Sequence, residues 1–273
     1  MKSKSTAMSA SNHPSASASA STGASKVPQV ILMFWVIKIL ATTVGETGGD
    51  AVSMTLNLGY AVASLIFLAF FGAALVAQLA ASRYHPFRYW LLVVATTTVG
   101  TTMSDYLDRT VGLGYIKSSI LLFCGVLVLL FAWRRVVGHV RFEDITTRRE
   151  EVFYWMTILV SNTLGTALGD YVATTAGFGF ERGALIFSGL LAIVAVLHFW
   201  AKKIPASVLF WSAYVLTRPL GATLGDTLTK SHNEGGLALG RIGSSLTIAA
   251  LMVVGILIMT RVERRPQPQA LRA

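Results

Sequence analysis

Cysteine and charge are both scarce in this chain. Its one cysteine, Cys124, stands inside an apolar run. One thiol cannot build a disulfide framework within the chain, and no thiolate metal site is expected from it. Charged residues make up 13% of the sequence, against about 25% in a soluble domain. A soluble globular fold is therefore not expected. Histidine is also sparse: the five are His13, His85, His139, His198 and His232, in tails, loops or helix ends. None shares a register with the acidic motifs described below, which argues against a soft-metal site.

What the chain has instead is apolar length. Hydrophobic residues reach 53% and the mean hydropathy is +0.61. Several runs are long enough to cross a bilayer, which takes about 20 residues of helix. The net charge of +10 suggests nucleic acid at first sight. The basic residues sit at segment ends, however, so membrane orientation explains them better and no nucleic-acid partner is expected.

The chain repeats itself. Gly165-Thr166-Ala167-Leu168-Gly169-Asp170 has counterparts in Gly45-Glu46-Thr47-Gly48-Gly49-Asp50, Gly100-Thr101-Thr102-Met103-Ser104-Asp105 and Gly221-Ala222-Thr223-Leu224-Gly225-Asp226. Ten residues before each leading glycine stands a tryptophan preceded by an aromatic: Phe34-Trp35, Tyr89-Trp90, Tyr154-Trp155 and Phe210-Trp211. A second glycine follows each Asp, at Gly59, Gly114, Gly179 and, after a five-residue insertion, Gly240. This register defines four repeats of roughly 55 residues. Each gives two apolar segments, near 29–50 and 60–81, 88–106 and 115–133, 152–172 and 180–200, 205–228 and 241–261. The expected fold is an all-α membrane protein of eight transmembrane helices, in four parallel two-helix repeats with pseudo-fourfold symmetry.

The chain divides accordingly. Residues 1–27 are rich in Ser and Ala and are expected to be a disordered cytoplasmic tail with no secretory signal. Repeats 1 and 2 fill 28–133, and repeats 3 and 4 fill 152–261. A charged cytoplasmic loop, 134–151, joins the halves, and 262–273 is a second cytoplasmic tail. Sixteen of the 23 Lys and Arg fall in the tails and in the loops near Arg83, Arg134 and Lys202. Arg109, Lys117, Arg182, Lys230 and Arg241 fall on the other side, and Lys38 and Arg218 lie within helices. This bias puts both termini in the cytoplasm. The four motif tryptophans then suit an interfacial belt.

With about 100° per residue, the leading glycine and the small residue four places on share one close-packing face. Gly45, Gly49, Gly100, Gly165, Gly169, Gly221 and Gly225 make up that face. Beside it runs a polar stripe at positions −3, +1 and +5. The stripe reads Thr42, Glu46, Asp50; Thr97, Thr101, Asp105; Asn162, Thr166, Asp170; and Arg218, Ala222, Asp226. Position −2 adds Thr43, Thr98 and Thr163. Parallel copies put the four Asp at one depth, where they can converge on a central axis with the Thr and Asn residues as its lining. Asp and Glu oxygens suit a hard cation such as magnesium, manganese or calcium. Glu46, Asp50, Asp105, Asp170 and Asp226 against Lys38 and Arg218 leave a net negative site. Arg218 is the expected counter-charge of Asp226 or Glu46. Crowded carboxylates also make protons natural competitors.

Residues 27–261 resemble a bacterial family of uncharacterised membrane-anchored proteins built from four repeats of unknown function. The resemblance rests on Lys26-Val27-Pro28-Gln29, Phe34-Trp35, Lys38-Ile39-Leu40-Ala41-Thr42-Thr43 and the Gly-Asp motifs. It implies a polytopic membrane protein and no particular substrate. The expected function is a transporter or channel for a small inorganic cation, with the bilayer as its other partner, and no cofactor. The alternatives are a scaffold or sensor whose Asp residues cap helix breaks, and an intramembrane aspartyl hydrolase. The hydrolase would need one pair of Asp rather than four near-equal copies, so no enzymatic activity is expected.

Overall fold

The structure is a computed structural model and describes residues 26–81, 83–140, 145, 147–201 and 203–263. Eight long helices follow the four repeats: α1 (Leu32–Asp50), α2 (Gly59–Ala80), α3 (Pro86–Asp105), α4 (Gly114–Val137), α5 (Arg148–Asp170), α6 (Phe180–Trp200), α7 (Ala206–Thr229) and α8 (Arg241–Glu263). Among the described residues there is no strand. The two expected tails lie outside the described residues, save for 26–27 and 262–263.

α1, α3, α5 and α7 form a central ring, each packed against the next, with α7 closing on α1. The outer helices take a regular step. α2 packs on α3, α4 on α5, α6 on α7 and α8 on α1. Each outer helix thus covers the following repeat rather than its own, and α8 completes the circle. α2, α4, α6 and α8 are each long and apolar enough to cross a membrane. Their outward faces carry large exposed apolar residues such as Leu65, Ile120, Leu185 and Leu246. A continuous apolar mantle of this kind belongs against lipid.

The ring closes because the glycine face works as the sequence implies. A β-carbon on Gly45 would strike Thr97, and one on Gly221 would strike Thr42. On Gly100 it would lie 3.0 Å from the backbone of Asn162, and on Gly165 2.5 Å from the Arg218 side chain. In every case the leading glycine meets the −3 residue of a neighbouring copy. The second small residue repeats the pattern: Gly49 meets Thr101, Gly169 meets Ala222 and Gly225 meets Glu46. The stripe residues are therefore the knobs that the glycines receive, which holds the stripe inside the bundle.

The aromatic pairs close the same ring at the helix starts, here called the Trp end. Phe34 meets Trp90 at 5.4 Å between centroids, Tyr89 meets Trp155 at 5.3 Å, Tyr154 meets Trp211 at 6.0 Å and Phe210 meets Trp35 at 5.7 Å. Such pairs contribute about 0.5–1.5 kcal/mol each beyond their area. This corrects the interfacial-belt reading for Trp90 and Trp155, which are 1% exposed and belong to the core.

The charged loop is shorter than expected. α4 runs on to Val137, and a capping box starts α5, with the Glu150 N–H donating to Thr147 Oγ1 and the Thr147 N–H to Glu150 Oε2. Glu151 is buried rather than solvated, held by Lys26 at 2.9 Å and Gln78 at 3.1 Å. Pro219 lies inside α7, which continues past it to Thr229.

Gly165→Leu is expected to abolish folded yield in membranes, and Gly165→Ala to destabilise by about 1–3 kcal/mol of overpacking, seen as a lower thermal midpoint. Gly48→Ala, whose β-carbon meets nothing within 4 Å, should be tolerated. Normal yield of Gly165→Leu would show that the glycine face does not carry the ring.

Candidate cation site

The four motif aspartates end α1, α3 and α5 and lie one turn from the end of α7. After the first three, the chain passes directly into five-residue π turns, Ala51–Thr55, Tyr106–Thr110 and Tyr171–Thr175. π turns recur at functional sites because they widen the helix and re-aim side chains. None of the three Asp side chains makes a cap hydrogen bond. The helix-capping alternative therefore fails for these copies. The chain then reverses through positive-φ residues at Asn57, Gly112, Gly177 and Ala238, which stand at matching positions in the four repeats.

Copy four departs from this plan. α7 runs to Thr229, and the inserted residues fold back over its end. The amides of Leu237, Ala238 and Leu239 donate to the carbonyls of Thr227, Lys230 and Leu228 at 2.7–2.9 Å. A β-carbon on Gly236 would strike the Lys230 carbonyl, so only glycine fits that close approach. Ser231 donates its N–H and O–H to Glu234, holding that carboxyl below the usual carboxylate range. This folded insertion fixes Lys230 over the bundle mouth.

The five predicted acids converge in two groups at this Asp end. Glu46, Asp50 and Asp226 each offer an oxygen, and the three oxygens lie within 4.8 Å of one another. All three residues are buried. Lys230 Nζ sits 3.3 Å from both Asp50 and Asp226, and Arg241 Nε lies 3.5 Å from Asp50. Asp105 and Asp170 make the second group, joined by Arg109 at 2.9 and 3.8 Å. Arg109 also donates to the Tyr60 hydroxyl.

Arg218 lies fully buried inside the ring. Its Nη2 donates to Glu46 at 3.1 Å, Thr101 Oγ1 at 2.6 Å and the Thr97 carbonyl at 3.3 Å, and its Nη1 to the Thr42 carbonyl at 3.4 Å. Arg218 thus neutralises Glu46, while Lys230 is the partner of Asp226. This corrects the charge count. Arg109, Lys230 and Arg241, read as loop charges, fold onto the acids, so the five carboxylates meet five basic groups once Lys38 and Arg218 are counted. The signal was present in the sequence, because Asp105–Arg109 and Asp226–Lys230 are i,i+4 pairs.

The predicted lining divides by position. Thr42, Thr97 and Thr101 donate across the ring, to the carbonyls of Thr217, Ala41 and Gly45. Asn162 donates to Thr96 Oγ1 at 3.0 Å. Thr43, Thr98 and Thr163 instead bond carbonyls of their own helices, as does Thr166. Lys38 is fully buried with no hydrogen-bond acceptor among the described residues, its Nζ 4.2 Å from the centre of the Tyr214 ring.

No curated protein and no solved structure matches the chain. Residues 33–84, 88–138, 153–203 and 209–265 each match the Repeat of Unknown Function (DUF347), so the chain belongs to that family of four-repeat proteins.

Proposed function

We propose that this protein is a multi-pass membrane transporter for a small inorganic cation, most suitably a divalent metal, which binds between Glu46, Asp50 and Asp226. The observation that carries this reading is the convergence of three buried carboxylates, with oxygens within 4.8 Å, at the meeting of α7 and α1. Oxygen-only ligands of that charge suit a hard ion. Lys230 bridges two of them and acts as a tethered cation that an incoming ion displaces. Asp105 and Asp170, bridged by Arg109, form a second acidic step at the same mouth.

All eight helices cross the bilayer in this reading. The outer four are apolar enough to do so alone. The inner four run 19–24 residues, or about 29–36 Å of helix, and the mantle shields their polar faces. The basic bias at the Trp end places that end, and both termini, in the cytoplasm of a bacterial inner membrane.

A non-transporting scaffold or sensor is the second reading. It is favoured by the four hydrogen bonds of Arg218 across the ring, which suit a permanent internal tie. The two readings part on metal binding. For the purified full-length protein, Mn²⁺ should raise the thermal midpoint by mass action. In reconstituted vesicles, Glu46→Gln, Asp50→Asn and Asp226→Asn should each cut Mn²⁺ movement about tenfold or more, equivalent to about 1.4 kcal/mol of binding, at normal folded yield. Asp105→Asn should cut it less. Lys230→Met should bind Mn²⁺ more tightly than the unaltered chain. A scaffold would show no Mn²⁺ stabilisation, and unchanged Mn²⁺ movement in all three carboxylate variants would remove this site.

Orientation has its own test. With Cys124 replaced by Ser, Arg83→Cys should react with an impermeant thiol label only from the cytoplasmic side, and Val111→Cys only from outside. The reverse pattern would invert the orientation.

A further inference from the structure

Several buried polar atoms in the Trp half of the bundle have no hydrogen-bond partner among the described residues. They include Glu263 Oε1, Tyr84 Oη, Tyr214 Oη, Lys38 Nζ and Arg218 Nε. Buried polar atoms are ordinarily satisfied, so a group of orphans calls for water, a ligand or a functional role. The Tyr84 ring is 6.1 Å from that of Tyr89, and the Tyr89 and Tyr154 hydroxyls are 2.7 Å apart. Tyr154 packs on Trp211 and Trp211 on Tyr214, and Tyr214 carries the Lys38 amine on its ring face. Arg218, one turn beyond Tyr214, donates to the carbonyl of Thr42, one turn beyond Lys38 on α1, and holds Glu46.

Lys38 is the anomaly in this series. The other buried basic groups near the site have a carboxylate, namely Glu46 for Arg218, Asp105 for Arg109, and Asp50 and Asp226 for Lys230. Lys38 has only an aromatic face. As an ammonium it gains the ring's quadrupole but no acceptor. As a free amine it needs no counter-charge and is a ready proton acceptor. The charged and titratable groups around it are Tyr214 and Arg218 on α7, Tyr89 on α3, Tyr154 on α5 and, two turns on along α1, Glu46. α8 packs on the other side of α1, where Gly255 meets Ile37, and it carries no charge between Arg241 and Arg261.

We propose that a proton is the second ligand of the transporter and that Lys38 holds it. This rests on the cation-transport reading. A hydronium gives its proton to the amine and leaves as water. Lys38 gains one N–H bond, going from amine to ammonium, and no electrons change hands. The new positive charge stands beside Arg218, raises the potential at Glu46 and expels the bound cation. Cation binding reverses the sequence and returns the proton. Cation and proton thus exclude one another without sharing a ligand atom.

The test counts protons. Mn²⁺ is titrated into the purified full-length protein in weak buffer with a pH indicator, and proton release per bound ion is measured across pH. The unaltered chain is expected to release about one more proton per Mn²⁺ than Lys38→Met. Lys38→Arg, charged throughout, should show the same loss of release and bind Mn²⁺ at least tenfold more weakly. If Lys38→Met does not fold, Lys38→Arg carries the test. Equal proton release in the unaltered chain and in the Lys38 variants would overturn this inference while leaving the cation site standing. Absence of Mn²⁺ binding to the unaltered chain would overturn the cation reading itself.

Discussion

Everything in this molecule depends on the close approach of each leading glycine to the residue three places before a neighbouring copy's glycine. Gly45 on Thr97, Gly100 on Asn162, Gly165 on Arg218 and Gly221 on Thr42 are one contact made four times around a ring. Lipid is as apolar as leucine, so burial of apolar surface cannot drive the inner helices together in a bilayer. Backbone proximity and interhelical hydrogen bonds must do it. Thr42, Thr97 and Thr101 donate to carbonyls on adjacent inner helices across these same contacts. The contact that assembles the ring therefore also points its polar stripe inward. Folding and site construction are one event here, because a side chain at any of the four glycines would push the ring apart and turn the acids out of register.

Four equal copies would make a symmetric bundle with a ring of four aspartates and no preference among them. The departures from equality are concentrated where α7 meets α1. Copy one supplies Lys38 and Glu46, and copy four supplies Tyr214, Arg218, Ala222 and Lys230. Ala222 leaves room where other copies carry Glu46, Thr101 and Thr166, and Lys230 stands four residues after its Asp, in the register of Arg109. The two carboxylates added to a plain Asp at this seam, Glu46 from its own helix and Asp226 from the neighbour, are those with oxygens in common reach of Asp50. The opposite seam, between α3 and α5, keeps the simpler arrangement of two aspartates around Arg109. Three copies thus serve mainly to build the frame in which one seam can be specialised.

The repeat, the helix pairs and the glycine face were all legible from the sequence, because each follows from register and from the angle per residue. The partners of the acids were not. A helical wheel gives a side chain's direction from its own axis but not what waits there. Thr43, Thr98 and Thr163 sit near the Asp angle on the wheel and still close on their own backbones. Trp90 and Trp155 have the spacing of interfacial anchors, yet each stacks on the aromatic of the preceding copy. Arg109, Lys230 and Arg241 were assigned by chain position to loops, and a loop's return path is set by its turn residues. The positive φ at Gly112 and Ala238 and the tight contact of Gly236 are what carry these cations back over the mouth.

The charges at that mouth explain why copy four carries a lysine four residues after its Asp. A carboxylate taken out of water costs several kcal/mol, and repayment needs a close partner with good geometry. Glu46 and Asp50 on one helix, with Asp226 facing them, would stand without Lys230 as three buried negative charges against Arg218 and Arg241. Lys230, set by the folded insertion at 3.3 Å from two of the three, removes that excess. A lysine is suited to this task because its ammonium is compact, mobile and singly charged. It balances the cluster by reaching two carboxylates at once. Arg218, one turn deeper, is tied instead by four hydrogen bonds across the ring.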